Sequence, residues 1–306
     1  MTNEDYIKGM IGTRMNKYII TRYISSGSFG DVFEARHYKT KEMVALKIPI
    51  KTEEKDGTKS LLEESKIYKK IYKNVNEEDK SHKGIADVKL MRVKDKKILV
   101  MDLLGDSLET IITKKKKIGL KSVIYISIKL LNIVKFIHSA GYIHRDIKPD
   151  NFVRGYDDPK KWYCIDYGLA KSYYHKNGPH IPYSDKKKFC GTARYASIAA
   201  HECVEQSRKD DLESLGYIFV YLYKGKLPWQ QIKHKDKKEK YRLIGEHKKK
   251  LSEEELCEGM PKEFTVFLKY VRNLDFDEKP PYSAFVKMFQ KLYDSRNYKN
   301  DKLEWE

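Results

Sequence analysis

One stretch constrains this 306-residue chain more than any other: His144-Arg145-Asp146-Ile147-Lys148-Pro149-Asp150-Asn151. A long apolar segment, Ser122 to Ala140, precedes it, and the apolar pair Phe152-Val153 follows. The pattern predicts a loop that leaves a buried helix and enters a strand. Asp146 is a carboxylate able to accept a proton from a hydroxyl. Lys148, two residues on, is able to hold a phosphate oxygen. Asn151 offers a carbonyl oxygen, a hard ligand suited to Mg²⁺. Eight residues can match a pattern by accident, so the order of the surrounding elements decides what they mean.

Tyr18 to Ile24 alternates loosely and predicts a strand; Ser25 to Gly30 reads as a turn, and Asp31 to Arg36 as the returning strand. Small residues at such a tip let backbone N–H groups approach phosphates closely. An ordinary Gly/Ser hairpin would read the same way. Met43 to Ile48 is a continuous apolar strand with Lys47 inside it. A buried lysine needs an anion, although a lysine snorkelling from a strand edge fits the same letters.

Thr58 to Tyr72 has helical periodicity. Leu61, Tyr68 and Ile71 fall on the same face as Glu64, whereas Glu63 falls with Lys59, Lys66 and Lys70 on the wet face. A glutamate on an inner face wants a cation, and Lys47 is the obvious partner; the alternative is that Glu64 only borders the apolar stripe. Ile98 to Met101 is another apolar strand, followed by the short connection Asp102-Leu103-Leu104-Gly105. Lys114 to Lys117 reads as a solvated helix end. Trp162 to Ile165 is a strand leading into Asp166-Tyr167-Gly168. Further on, a buried helix runs from Asp211 to Tyr223. Lys233 to Lys250 is basic and predicted helical, and Pro261–Leu274 and Pro281–Tyr293 are helices opened by proline.

Composition excludes several classes. Hydrophobic residues make up 40% of the chain, enough for a core, so global disorder is excluded. The formal net charge of +18 points to acidic partners. Cys164, Cys190, Cys203 and Cys257 are widely spaced, which suggests neither zinc nor a disulfide framework and fits a reducing compartment. The polar N-terminus is not expected to be a signal peptide. Lys129 and Lys135 interrupt the most apolar run, Val123 to Ile137, so a buried helix is expected there rather than a membrane span.

Five elements thus stand in order: small-residue turn, strand lysine, helix glutamate, H-R-D-x-x-x-x-N loop and D-Y-G. Together they resemble the signature of protein kinases. The resemblance implies a bilobal α+β fold, with residues 1–104 as a β-rich lobe and 105–306 as a larger, mainly helical one. It implies Mg²⁺ and ATP. Asp146, Lys148, Lys47 and Glu64 would be catalytic, and Asn151 and Asp166 would hold the metal. Ile24, Ser25, Gly27, Ser28, Phe29, Gly30, Val32, Ala45, Lys47, Met101, Asp102, Leu104, Val153 and Ile165 would surround the nucleotide. Its adenine would bond backbone groups near Leu104, with Met101 behind. Two departures stand out: Ser25 replaces the first glycine of the phosphate loop, and Tyr167 the phenylalanine of D-F-G.

Leu104-Gly105-Asp106-Ser107-Leu108-Glu109, His180-Ile181-Pro182-Tyr183, Gly191 to Ile198, Glu205-Gln206-Ser207-Arg208, Asp210 to Tyr217 and Leu227-Pro228-Trp229-Gln230 resemble the casein kinase 1 family. The likeness runs from about Tyr18 to Tyr293. Ala196-Ser197-Ile198 stands where most kinases carry A-P-E, so the usual ion pair of that glutamate with a late arginine, here Arg272, is not expected. The vaccinia-related kinases rank second, because their segment differs at Gly191 to Tyr195. The resemblance implies a monomeric Ser/Thr kinase, cytoplasmic or nuclear, that prefers acidic or already phosphorylated protein substrates. Lys187, Arg194 and Lys240 would gather around a substrate anion, with Gln231 in place of a glycine that helps line that site. The long regulatory tail of many members is expected to be missing. A pseudokinase scaffold would ordinarily lose Lys47, Asp146 or Asp166, and all three are present. No nucleic-acid-binding module accompanies the charge, so nucleic acid is not expected as the primary partner.

Overall fold

The computed structural model describes residues 3–27, 30–50, 57–73, 84–175, 178–298 and 302–305. The chain divides into two compact units, Met1–Gly105 with Arg154–Gly168, and Asp106–Val153 with Leu169–Glu306. A division at 104/105 does not anticipate that Arg154–Gly168 clusters with the first unit.

The first unit is β-rich. It contains α1 (Asn3–Met10), β1 (Arg14–Met15), β2 (Tyr18–Ser26), β3 (Gly30–His37), β4 (Met43–Pro49), α2 (Gly57–Lys73), β5 (Val88–Val93) and β6 (Lys96–Asp102). The strands form one sheet in the order β1-β2-β3-β4-β6-β5, and every neighbouring pair is antiparallel. Alternation places Ile20, Phe33, Leu46, Ile48 and Ile98 in one core, with Tyr6 and Met10 of α1 packed against it. Each such buried side chain contributes about 1.5–3 kcal/mol.

Strand β2 runs further than predicted, because Ser25 pairs with Val32 and Ser26 with Asp31. At the strand ends the Gly27 N–H donates to the Gly30 carbonyl at 2.9 Å. Gly30 is required there: a Cβ would meet the Ile48 carbonyl oxygen at 2.7 Å. Helix α2 packs on β4, β5 and β6 and buries Leu61, Glu64, Tyr68 and Ile71, the stripe that its 3.6-residue period predicts.

The second unit is mainly helical. Its helices are α3 (Leu108–Lys115), α4 (Leu120–Ser139), α5 (Ile198–His201), α6 (Arg208–Lys224), α7 (Lys237–Lys250), α8 (Glu253–Leu256), α9 (Lys262–Arg272) and α10 (Tyr282–Ser295). Helix α6 is buried nearly all round and packs against α4 and α9, while α10 packs on α4. Helix α7 begins at Lys237 rather than Lys233, because Asp236 is its N-cap and accepts from the Glu239 N–H at 2.7 Å. Among the described residues no helix is long and apolar enough to cross a membrane.

Candidate active site

In the first unit the candidate site residues gather around Lys47. Strand β4 places it between Val32 of β3 and Leu99 of β6, and it is only 5% exposed. Its Nζ donates to Glu64 Oε1 and Oε2 at 2.9 and 2.7 Å. A third bond, to Asp166 Oδ1 at 3.0 Å, was not anticipated from the sequence. Burial by itself would lower the Lys47 pKa, but the carboxylates of Glu64 and Asp166 outweigh it and the pKa is raised. Burial raises the Glu64 carboxyl in turn, and Lys47 opposes this. With a doubly bonded ammonium beside it, we read the pair as ammonium and carboxylate.

Asp166 sits at φ +65°, a conformation that a non-glycine residue holds only when its surroundings enforce it. Tyr68 of α2 supplies part of that enforcement. Its hydroxyl accepts from the Asp166 N–H at 3.3 Å, and its ring meets Tyr167 edge-on, with centroids 4.7 Å apart. Tyr167 is fully buried, so the aromatic change at this position is absorbed into the core.

The expected nucleotide contacts of this unit differ in exposure. Ala45 and Met101 are buried on β4 and β6. Val32, Leu104 and Ile165 are half-buried, and Ile24 and Ser25 are exposed. The Asp102 side chain accepts from the Asp87 N–H at 2.9 Å. It faces a cavity of about 460 Å³ that Glu42, Asp157 and Asp158 also line. Ser28 and Phe29 lie outside the described residues.

In the second unit the centre is Asp146. The Lys148 Nζ approaches its Oδ2 at 2.8 Å, and the Thr192 hydroxyl donates to its Oδ1 at 2.7 Å. Asn151 lies on the short 3₁₀ turn Pro149–Asn151, and its Nδ2 donates to the Asp146 carbonyl at 2.9 Å. The same Nδ2 lies 3.4 Å from Asp146 Oδ2, so the amide faces Asp146 with its nitrogen end. Val153 is buried directly after the loop.

The loop itself hangs on Asp211, a residue that sequence reasoning placed only as the start of a helix. Its Oδ2 accepts from the His144 N–H at 2.7 Å and its Oδ1 from the Arg145 N–H at 2.9 Å. His138 Nε2 is 2.8 Å from Oδ2 and must carry a proton, since a carboxylate only accepts. Burial pushes the Asp211 carboxyl up, but these bonds and the neighbouring His138 outweigh it and hold it below the usual range. Arg145 takes φ +64° and donates through Nε to the Leu169 carbonyl at 2.8 Å. Gly191 passes so close that a Cβ would meet the Arg145 carbonyl oxygen at 2.7 Å, and its φ is +110°.

A model of the protein kinase domain matches residues 18–289. The chain belongs to the protein kinase family. It is therefore an ATP-dependent phosphotransferase of proteins, and its β-rich first unit and helical second unit are the two lobes of the α+β kinase fold. Protein kinases use ATP with a divalent metal, usually Mg²⁺. The residues of this kinase are of the kind such a group needs: Asp166 offers a hard, partly exposed carboxylate, Asn151 offers an amide oxygen, and Lys47 is held as a cation.

The kinase's three expected anion-binding cations have different surroundings. Lys187 pairs with Glu205 at 3.0 Å, and Lys171 joins the same carboxylate at 2.8 Å. Arg194 is 41% exposed at its side chain and lies 3.9 Å from Glu109. Its guanidinium also lies over the rings of Tyr195 and Tyr221. Lys240 is half-buried on α7. Arg272 forms ion pairs despite the missing A-P-E glutamate: Glu253 and Glu213 lie 2.8 and 3.6 Å away. Sequence periodicity carried a signal for it, since Arg272 follows Leu268 by four residues on the buried stripe of α9.

Proposed function

We propose that this kinase is a Ser/Thr kinase of the casein kinase 1 type, transferring the ATP γ-phosphoryl group to hydroxyls in acidic or phosphate-primed proteins. Asp146 orients the attacking hydroxyl and accepts its proton, with Thr192 and Lys148 fixing its two oxygens. Lys148 steadies the γ-phosphate. Lys47, braced by Glu64, holds the α/β-phosphates. Asn151 and Asp166 would hold Mg²⁺, which neutralises charge developing on the phosphates.

The observation that carries the substrate preference is Arg194. It stands between the D-Y-G motif and α5, in the segment that faces substrate in a kinase, and its nearest carboxylate is a loose 3.9 Å away. A planar guanidinium grips phosphate through two parallel hydrogen bonds. Lys187 would have to exchange Glu205 for the substrate anion, so it contributes less. Each charge-assisted bond contributes roughly 1.5–3 kcal/mol, so a phosphate three residues before the target should raise kcat/KM at least about tenfold. The test compares a matched primed and unprimed peptide on the wild type and on Arg194→Ala with Lys240→Ala. The double variant should lose most of the priming gain while the unprimed peptide changes little. Equal loss on both peptides would refute the assignment.

A further inference from the structure

The run Lys233 to Lys250 reads as surface charge, yet Lys248 is fully buried. Its Nζ donates to the Ala193 carbonyl at 2.9 Å and to the Ala196 carbonyl at 2.5 Å. It stands 3.2 Å from His201 Nε2 and lies 4.8 and 4.9 Å from the ring centroids of Tyr217 and Trp229. Of the two carbonyls between those, that of Arg194 accepts from Trp229 Nε1 at 2.7 Å. The same turn is closed from inside, where the Tyr195 and Ala196 N–H groups both donate to the Thr192 carbonyl at 2.9 Å. Thr192 in turn donates its hydroxyl to Asp146 Oδ1. A continuous set of short bonds thus runs from α7 through the 192–196 turn to Asp146.

We infer that Lys248 is a positioning residue for phosphoryl transfer: it clamps the 192–196 turn so that Thr192 keeps Asp146 aimed and Arg194 keeps its place. The clamp needs a donor rather than a charge. Burial drives the Lys248 pKa well down, and as ammonium or amine the nitrogen carries the two protons that the carbonyls require. Without Lys248 the Ala196 carbonyl would lose this donor in the interior, and the Ala193 carbonyl would keep only His201 Nε2, 3.1 Å away. Anchoring the turn this way gives the segment a tether at its far end, where the A-P-E glutamate is missing. The inference rests on Asp146 being the base, which Asp146→Asn tests by itself.

Lys248→Met keeps the shape and removes both donors. It should lower kcat on a peptide by on the order of 10–100-fold and leave the dissociation constant of a fluorescent ATP analogue within about twofold. Thr192→Val should lower kcat as well. If Lys248 acts through Thr192, adding Lys248→Met to Thr192→Val costs little more. Wild-type kcat in Lys248→Met, a parallel loss of nucleotide affinity, or losses that multiply in the double variant would each overturn the inference. Should Lys248→Met fail to fold, Trp229→Phe removes the donor to the Arg194 carbonyl while leaving both Lys248 bonds to the turn in place. It must then show the same fall in kcat, and the same lack of additivity with Thr192→Val; an unchanged kcat there overturns the inference as well. An inactive Asp146→Asn beside independent Lys248 and Thr192 effects would sink the clamp and leave the kinase assignment of Asp146 standing.

Discussion

Replacing Asp211 with asparagine should damage both stability and turnover, although Asp211 touches no substrate. The carboxylate is 2% exposed and receives three donors, from His144, Arg145 and His138. An asparagine has one acceptor oxygen there. Whichever way the amide turns, its NH₂ group faces at least one of the three donors, so a buried N–H is orphaned. An orphaned donor costs about 1–3 kcal/mol, and the surviving bonds lose their charge assistance. Removing one partner of a buried charged network totals about 3–5 kcal/mol. At about 2–4 °C per kcal/mol for a large domain, Tm should fall by roughly 6–20 °C. Arg145 loses its restraint at φ +64°, Asp146 shifts with it, and kcat should fall by on the order of 10–100-fold even well below the new Tm. Thermal scanning and peptide phosphorylation at a temperature where both proteins are folded measure the two effects. A loss under about 1 kcal/mol, or full turnover in a destabilised protein, would show that something other than Asp211 holds the loop.

Asp146→Asn should keep ATP affinity and Tm near wild type while turnover drops by orders of magnitude, so the two aspartates separate in a paired assay of stability and rate; near-normal turnover would remove Asp146 from the base position. Phosphatase-treated protein from bacteria should be fully active, because Glu205 already supplies the carboxylate that holds Lys171 and Lys187; activity that vanishes on phosphatase treatment contradicts this. The His201 pKa is lowered to about 4, first by burial and then by Lys248, so its contribution is complete above its ordinary value of 6.5 and is lost as pH falls from there through 4. The wild type should lose about 2 kcal/mol relative to His201→Gln between pH 7.5 and pH 5. Asp210, raised to about 7 by burial, shifts stability in the opposite direction and cancels in that difference; urea melts at the two pH values that give a constant difference would refute the burial argument. Ser25→Gly should change the KM for ATP by only a few-fold, since Ser25 already pairs as ordinary strand with Val32; loss of activity would mean that its hydroxyl is required.

Much of the machinery was legible in the chain because its signals are local. The H-R-D loop, the D-Y-G turn and the strand lysine are short runs whose chemistry is carried by neighbouring letters. The Lys47–Glu64 pair was reachable because helical periodicity assigns Glu64 to the inner face of α2, and the structure closes it at 2.7 Å. The same argument could have found Lys248, which follows Ile244 by four residues on the buried face of α7. The surrounding lysines hid it, because a basic run reads as solvated.

What the sequence determined by itself was the inventory: two kinds of unit, the order of their elements, and which loops hold acids, amides and cations. Tertiary structure alone decided which groups meet. Asp211 reaches the catalytic loop across 66 and 67 residues of chain, and Thr192 reaches Asp146 across 46. Lys47 bonds Asp166 across 119. Periodicity reports on one helix or strand at a time, whereas a buried polar group takes its partner from whatever element packing brings beside it. Hence the candidate catalytic residues could be read in order along the chain, and periodicity could place Lys248 on a buried face, while the partners of Asp211, Thr192 and Lys248 emerged only once the helices were packed.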